Sequence, residues 1–275
     1  MVPDNQALDE VVVVGYGTQK KANLTGAVSS VDFEEQTKSR PITTVSSALA
    51  GLSPGLQASS GSAMPGEDNT TLRVRGNGTM NNASPLIIID GMEGSLNAIN
   101  PQDIENISIL KDAASCAIYG ARAANGVVVI TSKRGLAMDK AKVTLRGQWG
   151  FSQLASDDNW MMMNTPERIQ FEKEIGLDAG KDYNLLSRTD VNWLDKVFND
   201  RAPLQSYELS VNRATDRLNY YVSGGFYDQD GIAQSSTFHR YNMRTNAEVK
   251  ASNWLKIGTN TTVSYTHLRA HETTL

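Results

Sequence analysis

Residues 240–250 read RYNMRTNAEVK, and their alternation decides the fold. Tyr241, Met243, Ala247 and Val249 fall on one face of an extended chain; Arg240, Asn242, Arg244, Asn246, Glu248 and Lys250 fall on the other. Successive side chains of a strand point to opposite faces, so this stretch reads as a strand with one apolar and one polar side. The same period recurs around it. Val143, Leu145, Gly147, Trp149 and Phe151 oppose Lys142, Thr144, Arg146, Gln148 and Ser152. Tyr207, Leu209 and Val211 oppose Glu208, Ser210 and Asn212; Tyr220, Val222 and Phe226 oppose Asn219, Ser223 and Tyr227. Leu255, Ile257, Val263 and Tyr265 oppose Lys256, Asn260 and Ser264. Each run is about ten residues or longer, the length of a tilted membrane-spanning strand.

The connections alternate too. ATDR (214–217) and KASNW (250–254) are short, whereas about 155–204 and 228–238 are long. A short-turn side and a long-loop side suit an outer-membrane barrel. A soluble β-sandwich also alternates. Strand length, paired loop lengths and aromatic residues near strand ends (Trp149, Phe151, Tyr207, Tyr220, Trp254, Tyr265) favour the barrel. Within the first long loop, Thr165-Pro166-Glu167 reads as a helix start with Pro at the first position.

Upstream, from Val28 to Gly135, periods are mixed. Thr44 precedes Val45, Ala48, Leu49 and Leu52, an amphipathic spacing that predicts a short helix capped by Thr44 and stopped by Ser53-Pro54-Gly55. TLRVRG, LIIID and ISILKD read as strands, with Asp90-Gly91 a turn and Pro101 opening a helical turn. Asp112 is a candidate cap for a small-residue helix through Tyr119, stopped by Gly120. VVVITSKRG closes the unit as a strand. The fold class expected is therefore an α+β domain followed by antiparallel strands of a transmembrane β-barrel.

Before that domain stands DEVVVVGYG: Asp9, Glu10, Val11, Val12, Val13, Val14, Gly15, Tyr16 and Gly17. Four valines in a row form extended chain readily but do not alternate faces. Two readings stay open, a buried parallel strand and a tethered strand awaiting a partner's sheet edge.

Bulk properties narrow the function. The 275 residues hold 26 Lys+Arg against 30 Asp+Glu, net charge -4, which gives no electrostatic reason to expect nucleic acid. The single cysteine, Cys116, supports no internal disulfide and reads as a small core residue. VPDNQALDE has no basic and apolar regions of a signal peptide. No run of 18 apolar residues predicts a membrane helix, which says nothing about strands. Gly76-Asn77-Gly78 lacks the Lys-Ser/Thr of a phosphate loop, and Asp228-Gln229-Asp230-Gly231 lacks the closing Glu of a calcium loop. His267 and His271 have helical spacing but no third ligand, and no Ser-His-Asp signature assembles. No catalytic, metal or cofactor residues are assigned, and no enzyme is expected.

The long strings carry a resemblance. DEVVVVGYGTQKK resembles the TonB box and linker of SusC/RagA-family TonB-dependent outer-membrane transporters. LRVRGNGTMNNASPLIIIDG and INPQDIENISILKDAASCAIYGARAANGVVVITSKRG are similar to that family's plug domain. VSGGFYDQDGI and HRYNMRTNAEVKASNWLKIGTN resemble its early barrel strands. The resemblance runs from about Leu8 to Tyr265. It implies a TonB box and linker over 1–27, a plug over 28–135, the first strands of the barrel over 136–266, and a non-native tail, unlike the family, over 267–275. About five strands are far short of the roughly 22 at which such a barrel closes around a plug. The resemblance further implies import of large nutrients (oligosaccharides or peptides), a SusD-like surface lipoprotein as lid, outer-membrane lipid around the strands, and the TonB protein pulling on residues 9–17 from the periplasm. The polar Thr18–Thr25 would be the tether. Arg73, Arg75, Asn77, Asn81 and Asn82 would touch substrate or the barrel wall. The alternatives are a TonB-linked signal transducer, marked by a further domain before the TonB box, and a soluble secreted β-rich binding protein.

Overall fold

The computed structural model describes residues 11–14, 17–20, 28–33, 42–62, 64–67, 70–74, 76, 83–155, 163–177 and 180–269. Asp9, Glu10, Gly15 and Tyr16 of the valine segment lie outside them, as do Arg75, Asn77, Asn81, Asn82 and His271. Strand β1, Val11–Val14, pairs antiparallel with β2, Gly17–Lys20, placing Val14 opposite Gly17 and Val11 opposite Lys20. The parallel-strand reading is thereby corrected. Residues 17–20 supply backbone partners to the valines, while the rest of the expected tether, 21–25, lies outside the described residues.

The α+β domain is built on a mixed sheet. Its strands are β3 (Val28–Asp32), β6 (Leu86–Ile89), β7 (Met92–Glu93), β8 (Ile104–Leu110) and β9 (Val127–Ser132), in spatial order β3-β8-β9-β6-β7. Only β6 and β9 pair in parallel. A separate hairpin joins β4 (Leu56–Ser60) to β5 (Thr70–Val74). β9 is central and carries Val127, Val128, Val129 and Ile130, all buried, as a strand covered on both faces should. One face packs Val128 and Ile130 with Phe33, Val45, Leu49, Ile104, Ile107 and Ile109. The other packs Val127 and Val129 with Ile88, Leu110 and Cys116. Cys116 is thus a core residue, its thiol near the carbonyl of Leu110 at 3.6 Å.

Both helices that the spacing predicts in the domain are shorter than expected. Helix α1 spans Val45–Ala48, with the Thr44 hydroxyl accepting from the Ser47 amide. Gly51 at φ +77 ends the turn that follows, so Leu52 is not helical. Helix α2 spans Ala113–Cys116 under an Asp112 cap, then tightens to a 3₁₀ turn over Ala117–Tyr119 before Gly120 at φ +74. Short tight turns of this kind occur where few residues separate two strands.

The remaining strands form one antiparallel wall in sequence order: β10 (Lys142–Ser152), β11 (Ala202–Ala214), β12 (Leu218–Asp230), β13 (Thr237–Lys250) and β14 (Lys256–Arg269). The sheet is open. Its polarity is inverted relative to a soluble sheet. The face away from the α+β domain exposes Leu145, Leu209, Met243 and Val263, which stand in one cross-strand row with Gly224. Beside it runs a row of rings, Tyr207, Phe226, Tyr241 and Tyr265, with neighbouring centroids 5.0–6.4 Å apart. The face toward the domain buries Glu208, Tyr221, Ser223, Arg240, Asn242, Arg244 and Asn246. A sandwich puts apolar residues between its sheets; here polar residues are inside and apolar ones outside, as in a membrane barrel. That arrangement overturns the sandwich alternative.

Three boundaries differ from expectation. Asp228, Gln229 and Asp230 are in β12, paired with His239, Phe238 and Thr237, so the second long loop shrinks to 231–236. β14 continues past Tyr265 to Arg269, with His267 opposite His239 in a strand and not on a helix. The first long connection, 153–201, holds α3 (Thr165–Glu174), α4 (Tyr183–Leu186) and α5 (Trp193–Val197). α3 starts one residue earlier than a first-position proline implies, because Asn164 and Glu167 close a capping box around Thr165 and Pro166.

Candidate functional site

The candidate site is the seat where the α+β domain meets the wall. Its centre is Asp90, at the end of β6. The turn into β7 needs positive φ at two successive residues, Asp90 at +48 and Gly91 at +89. Asp and Gly are residues that tolerate this region. The turn holds the Asp90 carboxylate against the wall, side chain 3% exposed, in an ion pair with Arg244 of β13, 2% exposed.

Both partners make further bonds, although the buried Arg244 Nε has no hydrogen-bond partner among the described residues. The Ser132 amide donates to Asp90 Oδ1 at 2.9 Å and its hydroxyl to Oδ2 at 2.6 Å. Asn260 Nδ2 donates to Oδ2 at 2.7 Å. Arg244 also donates to Ser132 Oγ at 2.8 Å, Asn260 Oδ1 at 2.9 Å and Thr262 Oγ1 at 2.7 Å. Asn246 reaches the same serine at 2.9 Å and the Lys133 carbonyl at 2.8 Å. Desolvating two charges costs several kcal/mol, about balanced by their attraction only when such bonds surround them. The pair therefore contributes geometry: it fixes where β6 and β9 sit on β13 and β14.

A second contact lies along β12. Asp103 ends a 3₁₀ turn that Pro101 opens and Asn100 caps. Its Oδ1 accepts from Tyr221 Oη at 2.9 Å and Ser223 Oγ at 2.5 Å, while Oδ2 has no hydrogen-bond partner among the described residues. Burial pushes this carboxyl above the usual aspartate range, against the opposing pull of Ser223, Tyr221, Arg244 and Lys133. Arg146 donates to Gln102 at 2.7 Å, and Arg240 donates to the Thr43 carbonyl at 2.7 Å while lying 5.3 Å over the Tyr227 ring. A cleft of about 230 Å³, lined by Asp90, Arg134, Asn219, Asn246, Glu248 and Asn260 among others, runs beside the ion pair.

Of the residues singled out beforehand, Arg73 is exposed on β5 and takes no part in the contacts above. Asp90 was legible only as a turn residue. Arg244 and Asn246 were legible as a polar face. Their meeting was not, because 154 positions separate Asp90 from Arg244. Among the described residues, no three His, Cys, Asp or Glu side chains gather as a metal site.

Known proteins resemble this chain in sequence and in fold. A family model described as the TonB-dependent Receptor Plug Domain matches residues 20–127. The chain is 35% identical over 272 residues to TonB-dependent receptor P26 of Formosa agariphila, covering 95% of this chain and 27% of that protein. It is 34% identical over 255 residues to TonB-dependent receptor SusC of Bacteroides thetaiotaomicron, covering 88% and 25%. It thus spans about a quarter of the length of these relatives. The RagAB peptide importer in its "open-open" state superposes with TM-score 0.83 at 31% identity, over 95% of this chain and 33% of that one.

Proposed function

From a chain that belongs to the TonB-dependent receptors of the SusC/RagA kind, we propose a role in importing large nutrients across the outer membrane of a Gram-negative, Bacteroidota-type cell. The observation that carries this is the inverted wall, apolar outward and polar inward, with the plug seated on its polar face through Asp90 and Arg244. A wall of that polarity suits lipid on one side and a hydrated lumen on the other. The plug occupies the lumen and must shift for cargo to pass.

The force for that shift comes from TonB in the periplasm, gripping Asp9 to Gly17. A strand with a free edge adds to a partner's sheet through main-chain hydrogen bonds. β1 pairs with β2 on one edge only among the described residues. β-branched valines are stiff, which lowers the entropy lost on pairing. The cargo is an oligosaccharide or a peptide, delivered through a SusD-like surface lipoprotein that lids the barrel. The likeness to SusC and to the RagAB peptide importer supports this reading.

The test is purification of the tagged transporter from outer membranes in mild detergent, followed by uptake of labelled oligosaccharide and oligopeptide pools. A surface lipoprotein should co-purify, and uptake of one pool should vanish when the proton gradient is collapsed. Recovery from the soluble fraction, or uptake indifferent to the gradient, would sink the proposal.

A further inference from the structure

Asp90 and Asp103 both face the wall from the plug, but in different company. Asp90 meets a guanidinium, a serine and an asparagine. Asp103 is 0% exposed and meets two neutral hydroxyls on one oxygen and, among the described residues, no hydrogen-bond partner on the other. Among the described residues no cation forms an ion pair with it: Arg244 and Lys133 act on it only through space. Arg244 is held by Asp90, and Arg146 by Gln102. Glu208 of β11 adds negative charge near Tyr221. A buried carboxylate without a paired cation is the costly state of such a group.

We propose that Asp103 sits against β12 as an un-ionised carboxylic acid, so that lifting the plug off the wall releases one proton. In the lifted state water enters the gap, the carboxyl O–H bond breaks, the proton passes to water and the carboxylate stays hydrated on the plug. The proposal rests on the plug-and-barrel reading but not on TonB or cargo.

The sign follows from linkage. The carboxyl's pKa is raised in the seat and ordinary once lifted. The lifted state therefore binds fewer protons at any pH between the two values. Seating is at full strength below the ordinary aspartate pKa and weakens as pH rises toward the seated value. Across that window the lifted-to-seated ratio grows by up to about tenfold per pH unit.

Cys116 reports the opening. It is buried in the plug core beside Val127 and Val129, and a water-soluble maleimide reaches it only when the plug loosens. The whole transporter, with Cys116 as its sole thiol, is reconstituted in vesicles and labelled from about pH 5 to about pH 8. Each rate is divided by that of the urea-unfolded protein at the same pH, which removes the thiol's own titration. Wild type should show a severalfold rise with pH, and Asp103→Asn a flat profile. Tyr221→Phe combined with Ser223→Ala removes the two donors to the carboxyl and should move the rise to higher pH. Matching profiles in wild type and Asp103→Asn would overturn the proposal. If Asp103→Asn fails to fold, an unmoved profile in the wall-side double variant overturns it. Labelling needs neither TonB nor cargo, so failure of import leaves this measurement standing.

Discussion

At the scale of single residues, the seat behaves as a unit in which each member needs the others. Arg244→Met strips the cation and leaves Asp90 buried and unpaired. Removing one partner of a buried pair costs about 3–5 kcal/mol, so the plug should loosen at a markedly lower temperature, read by heating the transporter and following plug proteolysis. Asp90→Leu added to Arg244→Met should recover part of that loss. If Arg244→Met costs no more than the exposed Lys256→Met, the pair does not hold the plug. Gly126 gives a second residue-level test. It stands at φ +94, and a Cβ there would lie 2.9 Å from Cβ of Val74. Gly126→Ala therefore combines backbone strain with overpacking against β5. It should destabilise the plug by about 1–3 kcal/mol, whereas Gly91→Ala meets strain alone, since no atom lies within 4 Å.

At the scale of elements, each strand is defined by what lies on its two faces. The outward positions of β11 and β13 are solved for lipid. Leu209→Lys and Met243→Lys should each cost about 2–4 kcal/mol if near the bilayer midplane, read as loss of heat-modifiable barrel on gels, while Ser210→Ala on the inward face should change little. Equal losses from both faces would contradict the polarity assigned to the wall. β1 is solved for pairing. Val12→Pro with Val14→Pro removes two main-chain donors and fixes φ. Crosslinking to TonB should disappear while the plug and wall remain folded, and undiminished crosslinking would refute the role given to residues 9–17. The alternation in RYNMRTNAEVK predicted β13 and its faces correctly because period 2 is a local property. Helix lengths in the plug were overread because Val45 to Leu52 and Asp112 to Tyr119 keep helical spacing for one turn more than the chain keeps helical backbone. The loop at 228–238 was overread for the converse reason: Asp and Gly are turn residues by composition, yet Asp228 and Asp230 are carried in β12 by their pairing to β13.

At the scale of the whole molecule, the polar wall and the plug make one interior between them. That interior was not legible, since Asp103 finds Tyr221 across 118 positions and Asp90 finds Arg244 across 154. Long-range pairs of this kind are set by topology, and a local period is silent about them. The row of rings on the outer surface has a consequence of its own. Tyr207, Phe226, Tyr241 and Tyr265 are joined at right angles to the strands, through their pairing register. Strands of such barrels lean by about 40° from the membrane normal. A line across them leans by the same angle from the membrane plane. Three strand spacings of roughly 4.8 Å then lift one end of the row above the other by about 9 Å. The rings form a ramp whose two ends meet the bilayer at different depths, and lipids pressed against this side of the barrel meet a sloping aromatic rail.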